Sequence, residues 1–328
     1  MSAKNRGSRA AQWAVLAAVL YVMPSLAMAQ DAYPSRLIKI IVPLAAGGIA
    51  DIVPRIVAEK LAAKWGQPVV IENRPGAGHN IGAAAAAKAD PDGYTLLATP
   101  PAPLVIAQFL SANLPFDPSA FIPVSILTSG QIVLIVNPKL PASNLQELVT
   151  YAKANPGKVT VASPGIGSSP HLTSEMLNAA AGIRTNHVPY GGLAPAVTDL
   201  LAGHVDMMFD NLGNSLAHIQ AGKLKVLGVA GESRIPELPD VPAISETYPG
   251  FLSTSWFAVV APPKTPQPIA DKLSAAIAET LRSPDVEQKL RRFAISPVGS
   301  SPAEAAAFLR KEAARWREAI ASAGIKLE

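Results

Sequence analysis

The chain has 328 residues, no cysteine and a formal net charge of +4, with 28 Lys and Arg against 24 Asp and Glu. The missing cysteines exclude disulfides, thiolate metal sites and cysteine nucleophiles. No run of Lys and Arg with interleaved aromatics occurs, so nothing in the composition points to nucleic acid.

Lys4, Arg6 and Arg9 precede an apolar run from Trp13 to Met23, and Ala27-Met28-Ala29 closes it. That pattern predicts a secretory signal peptide over residues 1–29 and an exported chain; the run is shorter than the roughly 20 residues a membrane span needs. The leader holds three basic residues and no acidic one, so the basic balance is largely its own. The length left after it supports a large core and two lobes.

From Leu37 the chain alternates apolar, β-branched runs with helical patterns: LIKIIV, a helix over about Ile49 to Lys64, PVVIE, a helix over about Asn80 to Ala89, and YTLLA. This is a βαβαβ unit, with right-handed crossovers and a parallel sheet. Asp90-Pro91-Asp92-Gly93 is a turn, and the alanines from Ala83 to Ala87 form a close-packed helix face. A stretch with Pro100, Pro101, Pro103, Pro115, Pro118 and Pro123 then interrupts the alternation.

After Gln131 the alternation resumes: IVLIV, a helix over about Asn144 to Asn155, KVTVA, a helix over about Ser168 to Ala181, THVPY, GLAPAVTDLLAG, VDMMFD, a short helix near Ser215, and LKVLGVA. Ser143 with Gln146, and Ser301-Pro302 with Glu304, fit capping boxes. Phe308, Leu309, Ala313, Trp316 and Ile320 recur at helical spacing and predict an amphipathic C-terminal helix from Pro302 to Ala323. ILTSGQIVLIV and FLSTSWFAVVAPP are the two passages fit to carry the chain between lobes, which makes a two-strand hinge. The lobes are then residues 30–128 with 256–328, and residues 129–255.

Two glycine-rich loops carry the chemistry. VPLAAGGIAD, Val42 to Asp51, and VASPGIGSSPH, Val161 to His171, each follow a strand and open a helix. A helix N-terminus presents unpaired N–H groups and about half a positive charge, so each loop is a candidate anion cradle without Lys or Arg. The alternative for the first loop is a plain turn in which Gly47 and Gly48 serve the backbone alone. Thr99, Tyr190 and Asp210 stand at further strand ends, where ligands of open α/β sheets bind.

Rival readings are weaker. GIGSSPH lacks full G-x-G-x-x-G spacing and the chain has no GK[ST], against nucleotide binding. Ser168 and His171 sit three apart at a helix start without a G-x-S-x-G elbow, against a hydrolase. His171 with Glu175 lacks the rest of a metal motif. Arg74 is a ligand fork or, preferentially, a loop brace; Asp51 suits capping and dipole needs; Asp210 is a ligand acceptor or a hinge brace. Trp256 reads as core, and His187, His204 and His218 receive no role.

VPLAAGGIAD, IENRPGAGHNIG, ADPDGYTLL, GIGSSPHL, HVPYGG with PAVTDLLAGHVDMMFD, and LPDVPAISE follow one another over nearly the whole chain. In this order they resemble the Bug/TctC family of periplasmic solute-binding proteins, associated with tripartite tricarboxylate transporters. The resemblance implies a two-lobed α/β fold of the Venus-flytrap, type II-like kind. It further implies a non-enzymatic, monomeric periplasmic receptor for a small organic carboxylate, with no cofactor or metal. Its partners would be membrane permease subunits or, alternatively, a two-component sensor kinase; a cleft hydrolase is a third possibility.

By position, Leu44, Ala45, Ala46, Gly47, Gly48 and Ile49 would approach the ligand with backbone groups. Ser163, Gly167, Ser168 and Ser169 would present amides and hydroxyls to its carboxylate. Asp210 would accept at the cleft edge, Thr99 and Tyr190 would close the walls, and Asp51 and His171 complete the candidate set. The chain departs from the family pattern with Ala46 for a proline, Ile49 for Ser or Thr, His79 for a glycine, and Pro164. The change at Ile49 removes a hydroxyl and adds apolar surface, which suggests a cargo with a larger apolar body.

Overall fold

The computed structural model describes residues 33–325, so the predicted signal peptide lies outside the described residues. Residues from Arg36 onward form one compact unit. Among the described residues no helix is long and apolar enough to cross a membrane.

The βαβαβ reading of the first half holds. Strands β1 (Ile38–Val42), β2 (Val69–Asn73) and β3 (Thr95–Thr99) alternate with α1 (Ile49–Trp65) and α2 (Asn80–Ala87). β1 pairs parallel to both other strands. Val53, Val57 and Leu61 recur at helical spacing and are buried on α1, and Gly66 ends the helix in the left-handed conformation that favours glycine. The Pro-rich stretch is more ordered than its composition suggests. A wide π-type turn over Ala102–Ile106 runs into α3 (Ala107–Leu110), and Ala102 to Ala107 are buried. Pro101 and Pro103 lie at the start of the turn, where a missing N–H costs no helical bond.

Strand β4 (Ile122–Val136) is the element on which both halves are hung. Its first ten residues pair with β9 (Thr254–Ala261), ending at Gln131 opposite Thr254. From Ile132 it pairs with β7 (Met207–Asn211) and β8 (Lys225–Val229). The two passages expected to cross between lobes are thus these neighbouring antiparallel strands. The second half adds α4 (Leu145–Ala154), β5 (Thr160–Ser163), α5 (Ser169–Ala181), β6 (Asn186–Pro189), α6 (Leu193–Ala202) and α7 (Leu212–Gln220). β5 runs parallel to β6 and β7. The order across the curled mixed sheet is β2-β1-β3-β9-β4-β7-β5-β6, a parallel triplet at each end and an antiparallel pair in the middle.

Alternation along β4 decides which core each side chain enters. Ile132, Leu134 and Val136 pack with Leu145, Leu148 and Leu177, while Val133 and Ile135 face Ala196, Leu200 and Leu212. With both faces covered, the run reads as continuously apolar, as IVLIV does.

Two cap and element expectations are corrected. The N-cap of α4 is Asn144 rather than Ser143: its side chain accepts from Glu147 N at 2.8 Å, and the Glu147 carboxylate accepts from Ser143 N at 2.7 Å. Asn and Ser cap equally well, so composition did not discriminate the adjacent positions. The sequence reading also passed over α8 (Gln267–Leu281), α9 (Pro284–Arg291) and β10 (Ile295–Pro297). The expected box at Ser301 with Glu304 opens α10 (Pro302–Ser322).

Trp256 is core, as expected, and it ties α10 to β9: its indole N–H donates to Glu312 at 2.8 Å. Arg315 donates to both oxygens of Glu312 and to the Leu252 carbonyl. Burial pushes the Glu312 carboxyl up, but the Arg315 and Trp256 hydrogen bonds outweigh it and leave it below 4.5. Its contribution is therefore present above about pH 4.5 and lost as pH falls through the lower folded value. Glu312→Ala strands a guanidinium and an indole N–H, with an expected loss of about 3 kcal/mol in urea denaturation at pH 7 that shrinks toward pH 3; an unchanged midpoint at pH 7 would contradict this.

Candidate functional site

Each parallel triplet sends its strand ends to the same place. The loops after β1, β2, β3, β5, β6 and β7 all line one cavity of about 1220 Å³, and α1, α2, α5, α6 and α7 begin at its wall. No lysine or arginine is among the lining residues. Partial positive charge is supplied there by the helix N-termini.

Of the candidate residues, Leu44, Ala45, Ala46, Gly47, Gly48, Ile49, Gly167, Ser169, Tyr190 and Asp210 line this cavity. Asp51, Thr99, Ser163, Ser168 and His171 are not among the lining residues; they are buried behind them. Asp51 turns its carboxylate back into the first loop. It accepts from Gly47 N at 3.1 Å, Arg55 Nε at 2.8 Å and Asn73 Nδ2 at 2.8 Å. Burial pushes this carboxyl up, and those donors bring it below its usual value. Thr99 donates to the Pro100 carbonyl at 3.2 Å.

The second loop is braced in the same manner. Ser168 is the N-cap of α5 and donates to the Gly165 carbonyl at 2.7 Å while accepting from His171 N. Ser163 Oγ meets His187 Nε2 at 2.7 Å, and the His171 and His187 rings stack at 3.9 Å. His171 Nδ1 accepts from Gly167 N at 3.2 Å; the accepting nitrogen carries no proton, so the hydrogen-bond network assigns the proton to Nε2. Burial, then the neighbouring His187, pushes the His171 ring down to about 4 and keeps it neutral. Its Nε2 lies 4.0 Å from Glu175. Among the described residues no group of three or more His, Asp or Glu forms a metal site.

Much of each cradle is therefore filled by the protein itself. Ser169 is left unfilled on both its amide and its side chain. It is the first residue of α5, 6% exposed and on the cavity wall, and neither its N–H nor its hydroxyl has a protein partner among the described residues. A free amide and a free hydroxyl on one residue at a helix N-terminus are donors of the kind that suit an anion.

Asp210 has both carboxylate oxygens engaged by donors of the protein, which makes it a brace on the cavity wall. It lines the cavity, accepts from Asn211 N, Asn214 Nδ2 and Ser215 Oγ at 2.7, 2.9 and 2.6 Å, and so orients Asn214, whose Oδ1 accepts from Ile49 N at 3.2 Å. The side chain of α7 thus caps α1 across the cavity. Gly213 allows this approach: a Cβ there would run into the Phe293 carbonyl oxygen. Tyr190 donates to Asp199 at 2.7 Å, and burial with that carboxylate pushes its phenol up to about 12. Arg74 pairs with Glu72 away from the lining, which is the brace reading. Asn214, His79, His218 and the Leu193, Val197 and Leu201 face of α6 complete the wall; spacing alone gave no signal for them.

A two-lobed α/β receptor with a ligand cavity at converging strand ends is a periplasmic-binding-protein architecture. The tripartite tricarboxylate transporter family receptor matches residues 53–325, and the chain belongs to that family. Protein BugT of Bordetella pertussis is 38% identical over 301 residues, covering 91% of this chain and 92% of BugT. The structure of R. palustris Rpa4515 with adipate superposes with a TM-score of 0.85 at 34% identity, covering 90% of this chain and 100% of the other. MatC (Rpa3494) from Rhodopseudomonas palustris with bound malate gives 0.83 at 33% identity, covering 88% and 100%. The chain is a solute-binding receptor and not an enzyme.

Burial pushes the Asp210 carboxyl up to about 6 against its three donors. A raised folded value means the native state binds a proton more tightly, so this group's stabilisation is full below about pH 3.8 and fades as pH rises to about 6. The stability of wild type minus Asp210→Asn should fall across that window by on the order of 3 kcal/mol. Parallel denaturation curves at pH 4 and 7 would rule this out.

Proposed function

We propose that this receptor is exported to the periplasm and closes its two lobes, divided near residues 128 and 255, over one organic acid, which it delivers to the permease subunits of a tripartite tricarboxylate-type transporter. The observation that carries the reading is Ser169, with a free amide and hydroxyl in a cavity without a cationic side chain. The amide and hydroxyl of Ser169 grip the carboxylate. Closure excludes water, and in the lower dielectric each amide-to-carboxylate bond gains strength. The closed form binds better, so cargo shifts the population toward it.

The cargo is an acid with a sizeable apolar body. Ile49, Leu193, Val197, Leu201, Phe257 and Phe293 face the cavity, whose volume of about 1220 Å³ exceeds the roughly 300–1,000 Å³ of drug-sized sites. A thermal-shift screen tests this, since binding to the native state raises apparent stability. Octanoate and 3-phenylpropionate should raise the midpoint more than malate; the reverse order rejects the apolar cargo, and silence from every acid rejects the receptor reading. Ser169→Ala should weaken binding about tenfold or more by calorimetry with unchanged stability, as expected for one bond to a charged group. Ser168→Ala, which removes a cap, should instead cost about 1 kcal/mol of stability.

A further inference from the structure

Three unfavourable features meet at His79. Its backbone is left-handed with φ 79°, a conformation that favours glycine and strains other side chains. Its ring is 8% exposed, and its Nδ1 is sealed from solvent without a hydrogen-bond partner, as is Oδ1 of the adjacent Asn80. Burial pushes the imidazole down to about 4, so it is neutral at ordinary pH. Strain and an unpaired buried polar atom persist at one residue only where the surroundings hold it there, and such residues cluster at ligand sites.

His79 is a residue of the cavity wall, and its Nε2 is not sealed as Nδ1 is. A buried N–H without an acceptor is rarer than an underused acceptor, so the proton belongs on Nε2, where the cavity can serve it. The loop carrying His79 meets the second glycine-rich loop: a Cβ at Gly78 would stand 2.7 Å from the Ile166 carbonyl oxygen. His79 therefore stands on the β2 side, beside the loop that leads into Ser169 on the β5 side.

We propose that His79 is a specificity-determining residue, whose Nε2–H donates to the cargo's carboxylate from the wall facing Ser169, in the position a cationic clamp would otherwise hold. This rests on the receptor reading above. An uncharged donor holds a carboxylate without a buried cation, so the empty cavity carries no unpaired charge. It also gives the β2 half its own side-chain hold on the cargo, so that both halves gain when the acid is present.

The test uses the full mature chain with octanoate, 3-phenylpropionate, adipate and malate as probes. His79→Gly relieves the backbone strain, so its thermal midpoint should equal or exceed that of the wild type, while affinity for the bound acids falls about tenfold. His79→Asn, which tolerates the left-handed conformation and keeps a donor, should recover part of that loss. In the wild type, the Nε2 ¹⁵N resonance of His79, assigned by its disappearance in His79→Asn, should move on titration with the tightest acid. Equal affinity in His79→Gly, or a resonance that stays in place while the acid binds, overturns the role of His79 and leaves the receptor reading intact. A wild type that retains none of the four acids overturns the receptor reading, and this inference falls with it.

Discussion

A cavity whose lining lacks lysine and arginine has only the main chain, hydroxyls, side-chain amides and neutral rings with which to hold an anion, and the rest of the architecture follows from that constraint. Two parallel strand triplets face the same space with their carboxyl ends, so five helices begin at its wall. Each N-terminus brings a partial charge that needs no counterion and incurs no desolvation penalty of the size a buried ammonium would. Beyond that field, the chain needs only a few donors left unfilled.

Leaving donors unfilled is the harder part, because buried N–H groups are costly without partners. The loops meet it in part by satisfying several of their own amides from behind. Asp51 takes Gly47 N, Asn214 takes Ile49 N, and His171 takes Gly167 N. Two of these acceptors depend on further partners: Arg55 and Asn73 hold Asp51, and Asp210 holds Asn214. His171 serves only while neutral, since a protonated ring has no acceptor to offer, and its burial against His187 keeps it so. The residues behind the wall thus decide which amides in front of it remain for a ligand.

Sequence reading reached the strands, the glycine-rich loops and the crossover because each rests on a local signal: β-branched runs, glycines after them, alternating faces. β4 is the clearest case, since IVLIV is apolar on both faces and the sheet it joins is covered on both. The site was legible to the level of the loop but not of the atom. Ser168 and Ser169 are adjacent and chemically identical, and only the start of α5 decides that one caps the helix while the other faces the cavity. Asp51 and His171 carry groups suited to ligands, yet their side chains point back along their own helices, as i to i−4 contacts allow. Asn214 acts through a contact 165 positions away in sequence, which no short window contains. α8 and α9 carry helical spacing of their own, with Leu273, Ile277 and Leu281 buried on α8 and Val286 and Leu290 on α9, so their absence from the sequence expectations has no physical cause in the pattern.

The contacts that already cross the cavity set the scale on which a ligand has to act. Ile49 N to Asn214 Oδ1 at 3.2 Å is a single neutral hydrogen bond, and its net worth is about 1 kcal/mol. The approach of the Gly78 loop to Ile166 adds close packing but no charge pair. Among the described residues no ion pair bridges the cavity, so these contacts join its two sides without a charge pair. A carboxylate bound by amide and hydroxyl from one half and by a ring nitrogen from the other would contribute about 1.5–3 kcal/mol per charge-assisted bond. The cargo's own bonds then exceed the protein's cross-cavity bond, which is the condition for occupancy, and not the empty chain, to determine which arrangement prevails.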